Sequence, residues 1–438
     1  MLEILNDRTY RHLFAAQVIA LLGTGLTTVA LGLLAYDLAG ADAALVLGMA
    51  FTIKMVAYVT VAPIVGALSD RMNRRALLIA CDLVRAGSAL CLPFVSEVWQ
   101  IYVLIFILQS ASAAFTPTFQ ATIPDVLPDE ARYTRALSLS RLAYDLENII
   151  SPTLAALLLA VLTYDALFLG TVLGFLGSAA LVLSVMLPRP EPGPPRGIYD
   201  RTTRGMKIYL STPRLRGLLA LNFAAAAAGA MVLVNSVVLV RDMLGLSESA
   251  LAWTMGAFGA GSMLAALVLP RLLIRIPDRP AMVGGAVLML ASLLGLAALI
   301  GLVGLTWPIL LGAWFAMGVG FSSVQTPSGR LLRRSSHPED RPALYAAQFA
   351  LSHACWLVTY PMSGWLLTHH GSTIALLTLA ALTGLATMSA LRLWPSGDPS
   401  DIEHTHKDLP LDHPHLKGQR RHTHTLVVDD YHPRWPHS

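Results

Sequence analysis

Apolar stretches of about 20 residues, separated by short charged breaks, run through the first 394 of 438 residues. A bilayer hydrocarbon core about 30 Å thick needs a helix of about 20 residues to cross it. Runs such as Leu154–Leu162 and Ala286–Val303 are apolar on every side and do not alternate. That favours helices over the alternating strands of a closed β-barrel. The pattern predicts spans near 12–37, 43–68, 75–95, 99–121, 136–162, 165–187, 216–241, 249–274, 280–303, 307–331, 343–368 and 371–394. The first apolar run starts near Leu13 and lacks a small-residue cleavage site, so it reads as a span and not as a signal peptide. The expectation is an all-α membrane protein of twelve transmembrane helices. Pro188–Leu215, rich in Pro, Arg and Gly, divides it. Residues 1–187 form an N-terminal six-helix bundle, 188–215 a cytoplasmic linker, 216–394 a C-terminal six-helix bundle, and 395–438 a His-rich cytoplasmic tail expected to be disordered.

Charge placement orients the chain. With the N-terminus in the cytoplasm, 28 of the 31 Lys and Arg residues fall in or beside inner segments. Loops such as Ala39–Asp42 carry none. The positive-inside rule therefore predicts that both termini are cytoplasmic. Apolar residues make up 55% and charged residues 13%, about half the charged share of a soluble domain. The net charge of +4 is spread over many loops with no basic face, which excludes a nucleic-acid partner. Cys81, Cys91 and Cys355 all lie in apolar spans, so neither a disulfide framework nor a thiolate cluster is expected.

The two halves resemble each other. Thr116-Pro117 matches Thr326-Pro327, and Pro128-Asp129-Glu130 matches Pro338-Glu339-Asp340, both at an offset of 210 residues. Pro152 and Pro361 stand 209 apart. The loop after the second span reads Gly66-Ala-Leu-Ser-Asp70-Arg71-Met-Asn73-Arg74-Arg75. This resembles the loop signature of the major facilitator superfamily, with Asn73 at the usual glycine; Asn reaches the left-handed turn conformation more readily than most residues. The resemblance covers residues 1–394 and implies two pseudo-symmetric bundles around a central cavity that work by alternating access. It implies that Gly66, Asp70, Arg71, Arg74 and Arg75 form a gating loop. Ser151-Pro152 stands where drug-exporting members often carry Gly-Pro, a partial match to that signature.

Ionisable and polar residues within spans suggest a cavity, a proton path or an internal pair. The candidates are Lys54, Asp82, Arg85, Asp145, Glu147, Asn148 and His353. Asp82 and Arg85 are three residues apart and share a helix face, as do Arg141 and Asp145 at four. Glu147 lies about 200° around its helix from Asp145, so the two cannot both point squarely into one cavity. A carboxylate and His353 suit a borderline divalent cation, and either can carry a proton. A histidine hydrogen-bonded between helices is the other reading. Gln17, Gln109, Gln120, Gln325 and Gln348 line the path or bridge helices.

The tail holds 8 of the 13 histidines. His404/His406, His413/His415 and His422/His424 form three His-x-His pairs whose starts are nine residues apart, followed by His432 and His437. Imidazoles interspersed with carboxylates suit nickel, cobalt, zinc or Cu²⁺, and the absence of tail Cys and Met argues against Cu⁺. The combination resembles nickel-resistance permeases of the superfamily. It implies efflux of nickel, with cobalt as a second cargo, driven by inward proton movement across a bacterial inner membrane. The competing expectations are an exporter of drugs or siderophores, and a membrane-anchored metal sensor or buffer. No Gly-x-x-x-x-Gly-Lys-Ser/Thr loop and no nucleophile–base constellation occurs, so a transporter that draws on an ion gradient is expected and not an enzyme. The expected partners are the lipid bilayer, the metal ion and protons, with no catalytic cofactor.

Overall fold

The structure is a computed structural model of the chain. It describes residues 2–68, 73–187, 198–273, 275–336, 341–397, 401–405, 421–425, 427–428, 432 and 435. After a 3-10 turn at Leu2–Asn6, the first half comprises α1 (Arg8–Ala39), α2 (Ala43–Leu68), α3 (Arg74–Cys91), α4 (Val98–Val126), α5 (Glu130–Leu159) and α6 (Asp165–Leu183). Next comes α7 (Ile198–Ser211), between the halves. The second half comprises α8 (Pro213–Val237), α9 (Glu248–Leu272), α10 (Asp278–Val303), α11 (Trp307–Gln325), α12 (Ser328–Arg334) and α13 (Arg341–Leu393).

Nine of the described segments are long and apolar enough to cross a membrane. Arg8–Val61 and Ala347–Leu393 each hold two crossings; in the latter Gly371 turns the chain at φ 78°. The remaining crossing is α5, whose charges lower its hydropathy. With α5 counted, the described residues supply twelve spans.

Local chemistry sets where the helices begin. The side chains of Asp7, Asp129 and Ser247 accept from the backbone N–H groups of Tyr10 (3.0 Å), Arg132 (2.8 Å) and Ala250 (3.3 Å). Each satisfies a donor left open in the first turn. Asn73 does the same for α3, accepting from Ala76 at 3.2 Å with φ −69°. This corrects the expectation for Asn73: it is an extended N-cap, not a left-handed turn. The repeat also diverges locally. α4 runs unbroken through Thr116-Pro117, whereas Thr326-Pro327 separates α11 from α12. A proline removes a helical hydrogen bond, and a half either absorbs that loss or turns there.

Small residues let helices approach closely where lipid supplies little hydrophobic drive. A Cβ on Gly318 would stand 2.0 Å from the Phe258 carbonyl, so α11 and α9 touch backbone to backbone. The halves meet along α2–α13 and α5–α9. Near the end of the molecule opposite the termini, a Cβ on Gly364 of α13 would lie 2.3 Å from the Ala44 carbonyl of α2. The halves are sealed there.

Two segments carry more structure than their sequence suggests. The polar linker contains α7, whose Tyr209 is fully buried and donates its hydroxyl hydrogen to Gln348 of α13. Within the tail, β1 (Asp401–Thr405) and β2 (Arg421–Thr425) pair antiparallel, with His404 opposite His422 and Ile402 opposite His424. Val428 joins the main core, and Trp435 lies 5.0 Å from the buried Arg214 guanidinium at the start of α8.

Candidate functional site

Lys54, Glu147 and His353 come together where the halves meet. Lys54 lies near the middle of α2, its Nζ 5.7 Å from the Tyr58 ring one turn further on. It interacts electrostatically with Glu147 of α5 and with His353 of α13. Thus a carboxylate of its own half and an imidazole of the other both lie within electrostatic reach of Lys54. Small residues make room for the carboxylate. A Cβ on Gly25 of α1 would fall 2.2 Å from Ser151 Cβ and 2.7 Å from Glu147 Oε1, so only hydrogen fits at position 25.

His353 Nδ1 is 2.7 Å from the Phe349 carbonyl within its own helix. Its ring centroid is 3.9 Å from Phe349 and 5.3 Å from Tyr58. A second aromatic series crosses the same seam: Phe51 to Tyr360 at 5.1 Å, Tyr360 to Trp356 at 4.8 Å, Trp356 to Phe321 at 6.2 Å and Phe321 to Phe258 at 5.6 Å. These rings come from α2, α13, α11 and α9. Position 229 of α8 must stay glycine for the same reason as position 25, because a Cβ would lie 2.5 Å from the Trp356 ring. The arrangement offers one acid, two basic groups and stacked ring faces, which suits an amphipathic solute with a charged group.

Other candidates fall elsewhere. Asp82 and Arg85 form a buried ion pair inside the N-terminal half. Asp82 also accepts from Ser178 at 2.7 Å, and the guanidinium lies 4.1 Å and 4.5 Å from the Phe115 and Phe175 rings. These contacts make it a packing element of α3, α4 and α6. Gln17 bridges helices, accepting from Ser140 at 3.0 Å and bonding Tyr144.

In the loop signature, Gly66 lies on α2, Arg74 is buried, and Arg75 donates to the Leu183 carbonyl at the end of α6. Asp70 and Arg71 lie outside the described residues, as do the side chains of Arg141, Asp145 and Asn148. His406, His413, His415 and His437 are outside them too; His404, His422 and His424 are placed by backbone register, and His432 is buried. Among the described residues no group of three or more His, Cys, Asp or Glu side chains gathers as a metal site would require.

Sequence reasoning did not single out Tyr58, Phe349, Trp356 or Tyr360. Aromatic residues in apolar spans look like ordinary core. A signal did exist: Phe349, His353, Trp356 and Tyr360 recur at three- and four-residue spacing on one face of α13.

Two six-helix halves enclosing a mixed acid–base and aromatic seam define a polytopic membrane transporter. The profile of the Major Facilitator Superfamily matches residues 13–240 and 218–421, and the chain belongs to that superfamily. It is 26% identical over 350 residues to the uncharacterized MFS-type transporter YfiS of Bacillus subtilis (strain 168), covering 76% of this chain and 81% of that protein. Shorter matches reach macrolide efflux protein A of Streptococcus pyogenes, 28% identical over 182 residues, 40% of this chain and 44% of that one. Multidrug resistance protein MdtG of Enterobacter lignolyticus is 30% identical over 169 residues, 38% of this chain and 40% of that one. The chain thus spans less than half the length of these two named drug carriers. Among solved structures, the nucleoside transporter NupG superposes with a TM-score of 0.68 at 13% identity, covering 88% of this chain and 98% of that one. That likeness shows the fold alone. The expectation of nickel export finds no support in these relatives, two of which are named for macrolide and multidrug resistance.

Proposed function

We propose that the chain is a secondary-active exporter of amphipathic organic compounds of the drug or macrolide class, coupled to inward proton movement. The carrying observation is the seam where Glu147 and His353 both lie within electrostatic reach of Lys54, beside the Tyr58 and Phe349 rings, which stack across the halves at 6.0 Å. A basic solute sets its charge against Glu147 and its apolar body against Tyr58, Phe349 and Trp356. Lys54 and the solute then compete for one carboxylate. A proton can occupy that carboxylate in their place, so the site holds cargo or proton but not both. No nucleotide-binding loop is present, so an ion gradient is the energy source. The Lys and Arg distribution supports an orientation with both termini in the cytoplasm of a bacterial inner membrane.

The test is proton-driven efflux of a macrolide and of a fluorescent organic cation from cells or inverted vesicles holding the protein. Glu147→Gln should lower the rate about tenfold or more, the loss of one charge contact worth over about 1.4 kcal/mol. Unchanged flux of both compounds in Glu147→Gln removes Glu147 from the site. No flux of either by inserted wild-type protein defeats the reading.

The spacing of the tail histidines and the ribbon register support a second, narrower reading. Positions 404, 422 and 424 share one face of a two-stranded ribbon by the alternation of strand residues. Three histidine positions on one face of the ribbon, with imidazole as the ligand type, suit nickel, cobalt or zinc. In this reading a divalent cation is bound at the tail, as a buffered ion or as a cargo handed to the spans.

A further inference from the structure

At the end opposite the termini, charged and aromatic groups of both halves converge away from the central seam. The N-terminal half supplies Tyr36 and Asp37 from the close of α1, and Tyr164 and Asp165 from the start of α6. The C-terminal half supplies Arg241 and Glu248. Arg241 sits in a π-helical turn, Val238–Met243, which continues α8. Such turns add a residue to the helix and re-aim the side chains they carry, and they are frequent at functional sites. The Arg241 guanidinium lies 5.5 Å from the Tyr36 ring across the seam, and its Nη1 donates to the Leu246 carbonyl at 2.6 Å. The halves are in contact beneath them: a Cβ on Gly32 of α1 would make ordinary van der Waals contact with Val237 and Leu251 of the other half at 3.9 Å.

Charge at this seam is unbalanced. Glu248 of the C-terminal half is repelled by Asp37 and Asp165 of the N-terminal half and attracted by Arg241. Asp165 is repelled by Asp37 as well. Burial, and then the neighbouring Asp37, Asp165 and Glu248, push the Tyr164 hydroxyl pKa up, so it stays protonated and hydrogen-bonded to Asp37. Three carboxylates, Asp37, Asp165 and Glu248, therefore repel one another here, with the Arg241 guanidinium attracting Glu248. Their mutual repulsion across the seam favours opening, while Arg241 opposes it by offsetting the charge of Glu248 in its own half and lying over Tyr36 of the other.

We propose that Arg241 is the latch of this seal, setting how readily the halves part at the end opposite the termini. The inference rests on the alternating-access reading above and assigns a positioning role, not a contact with cargo. Its place in the cycle follows from the geometry. The central site reaches this end only when the α2–α13 and α1–α8 contacts separate, and Arg241 is the cation that offsets the repulsion stored there.

The experiment needs no cargo, so its result is independent of which compound is carried. Spin labels at Ala41→Cys and Met243→Cys, one exposed position on each half, report the separation in the purified full chain with Cys81, Cys91 and Cys355 replaced by Ser. Arg241→Gln should increase the long-distance population at least about threefold. Arg241→Gln combined with Glu248→Gln should return it toward the parent value, because the repelling charge leaves with the attracting one. Tyr36→Ala, which keeps every charge, should give a smaller increase and stands in if Arg241→Gln does not fold. Unchanged distances in both Arg241→Gln and Tyr36→Ala overturn the proposal. Failure of the Glu248→Gln variant to reverse the effect overturns its electrostatic basis.

Discussion

Asp82 and Arg85, conspicuous together in the sequence, pair with each other in the structure. Both are buried; the carboxylate is shared between Arg85 and Ser178, and the guanidinium lies between two phenylalanine rings. Removing one member leaves a buried charge without its partner, which typically costs about 3–5 kcal/mol. Asp82→Ala and Arg85→Ala should each lower the midpoint of thermal unfolding in detergent by several degrees, while the surviving folded protein transports at near the parent rate per molecule. A large loss of turnover with unchanged stability would place the pair in the transport path. Glu147 is the contrast. Gly25 leaves room for its carboxylate, which interacts electrostatically with Lys54 of another helix, and Lys54 with His353. Its neutralisation is expected to affect flux and not folding.

At the scale of elements, the contact between α2 and α13 decides which end of the molecule is closed. Gly364 permits it, because any side chain there would strike the Ala44 backbone. A backbone oxygen cannot yield as a flexible side chain can. Gly364→Val should hold this end apart. A cysteine introduced at Leu47, 2% exposed in the closed arrangement, should then react about tenfold faster with a soluble maleimide than in the parent, a shift of about 1.4 kcal/mol in the opening equilibrium. Equal rates would show that the contact is not part of the seal. The boundaries of α2, α9 and α10 could be read to within a residue or two from hydropathy. α7 could not. Its polar, Pro-flanked surroundings mask a helix whose buried Tyr209 acquires meaning only against Gln348 of α13.

For the whole molecule, the tail and the bundles are separable in sequence but touch in space. Val428 and Trp435 reach the core at the start of α8. Removing residues 397–438 should leave proton-driven efflux of the organic probe per folded molecule within about a factor of two, about 0.4 kcal/mol, while the loss of buried Val428 and of Trp435 beside Arg214 lowers the midpoint of thermal unfolding. The same truncation should abolish high-affinity nickel binding measured by equilibrium dialysis, if the histidine ribbon is the cation site. Retained nickel binding in the truncated chain would move that site into the spans. Loss of all flux would make the tail part of the transport machinery.

Membrane crossing, the number of spans, their division into halves and the superfamily were legible in the sequence. These follow from the length and uniform apolarity of the runs, from where Lys and Arg collect, and from local signatures such as Gly66 to Arg75. Each depends on near neighbours or on the solvent each segment meets. Which ionisable groups share a site was not legible, because it depends on which helix faces which. Lys54, Glu147 and His353 lie on three different helices, whereas Asp82 and Arg85, adjacent and equally conspicuous, turn into the N-terminal half. The aromatic seam and the Arg241 latch are likewise products of packing. A ring or a guanidinium on an apolar helix acquires a role only when tertiary structure brings the opposite half against it.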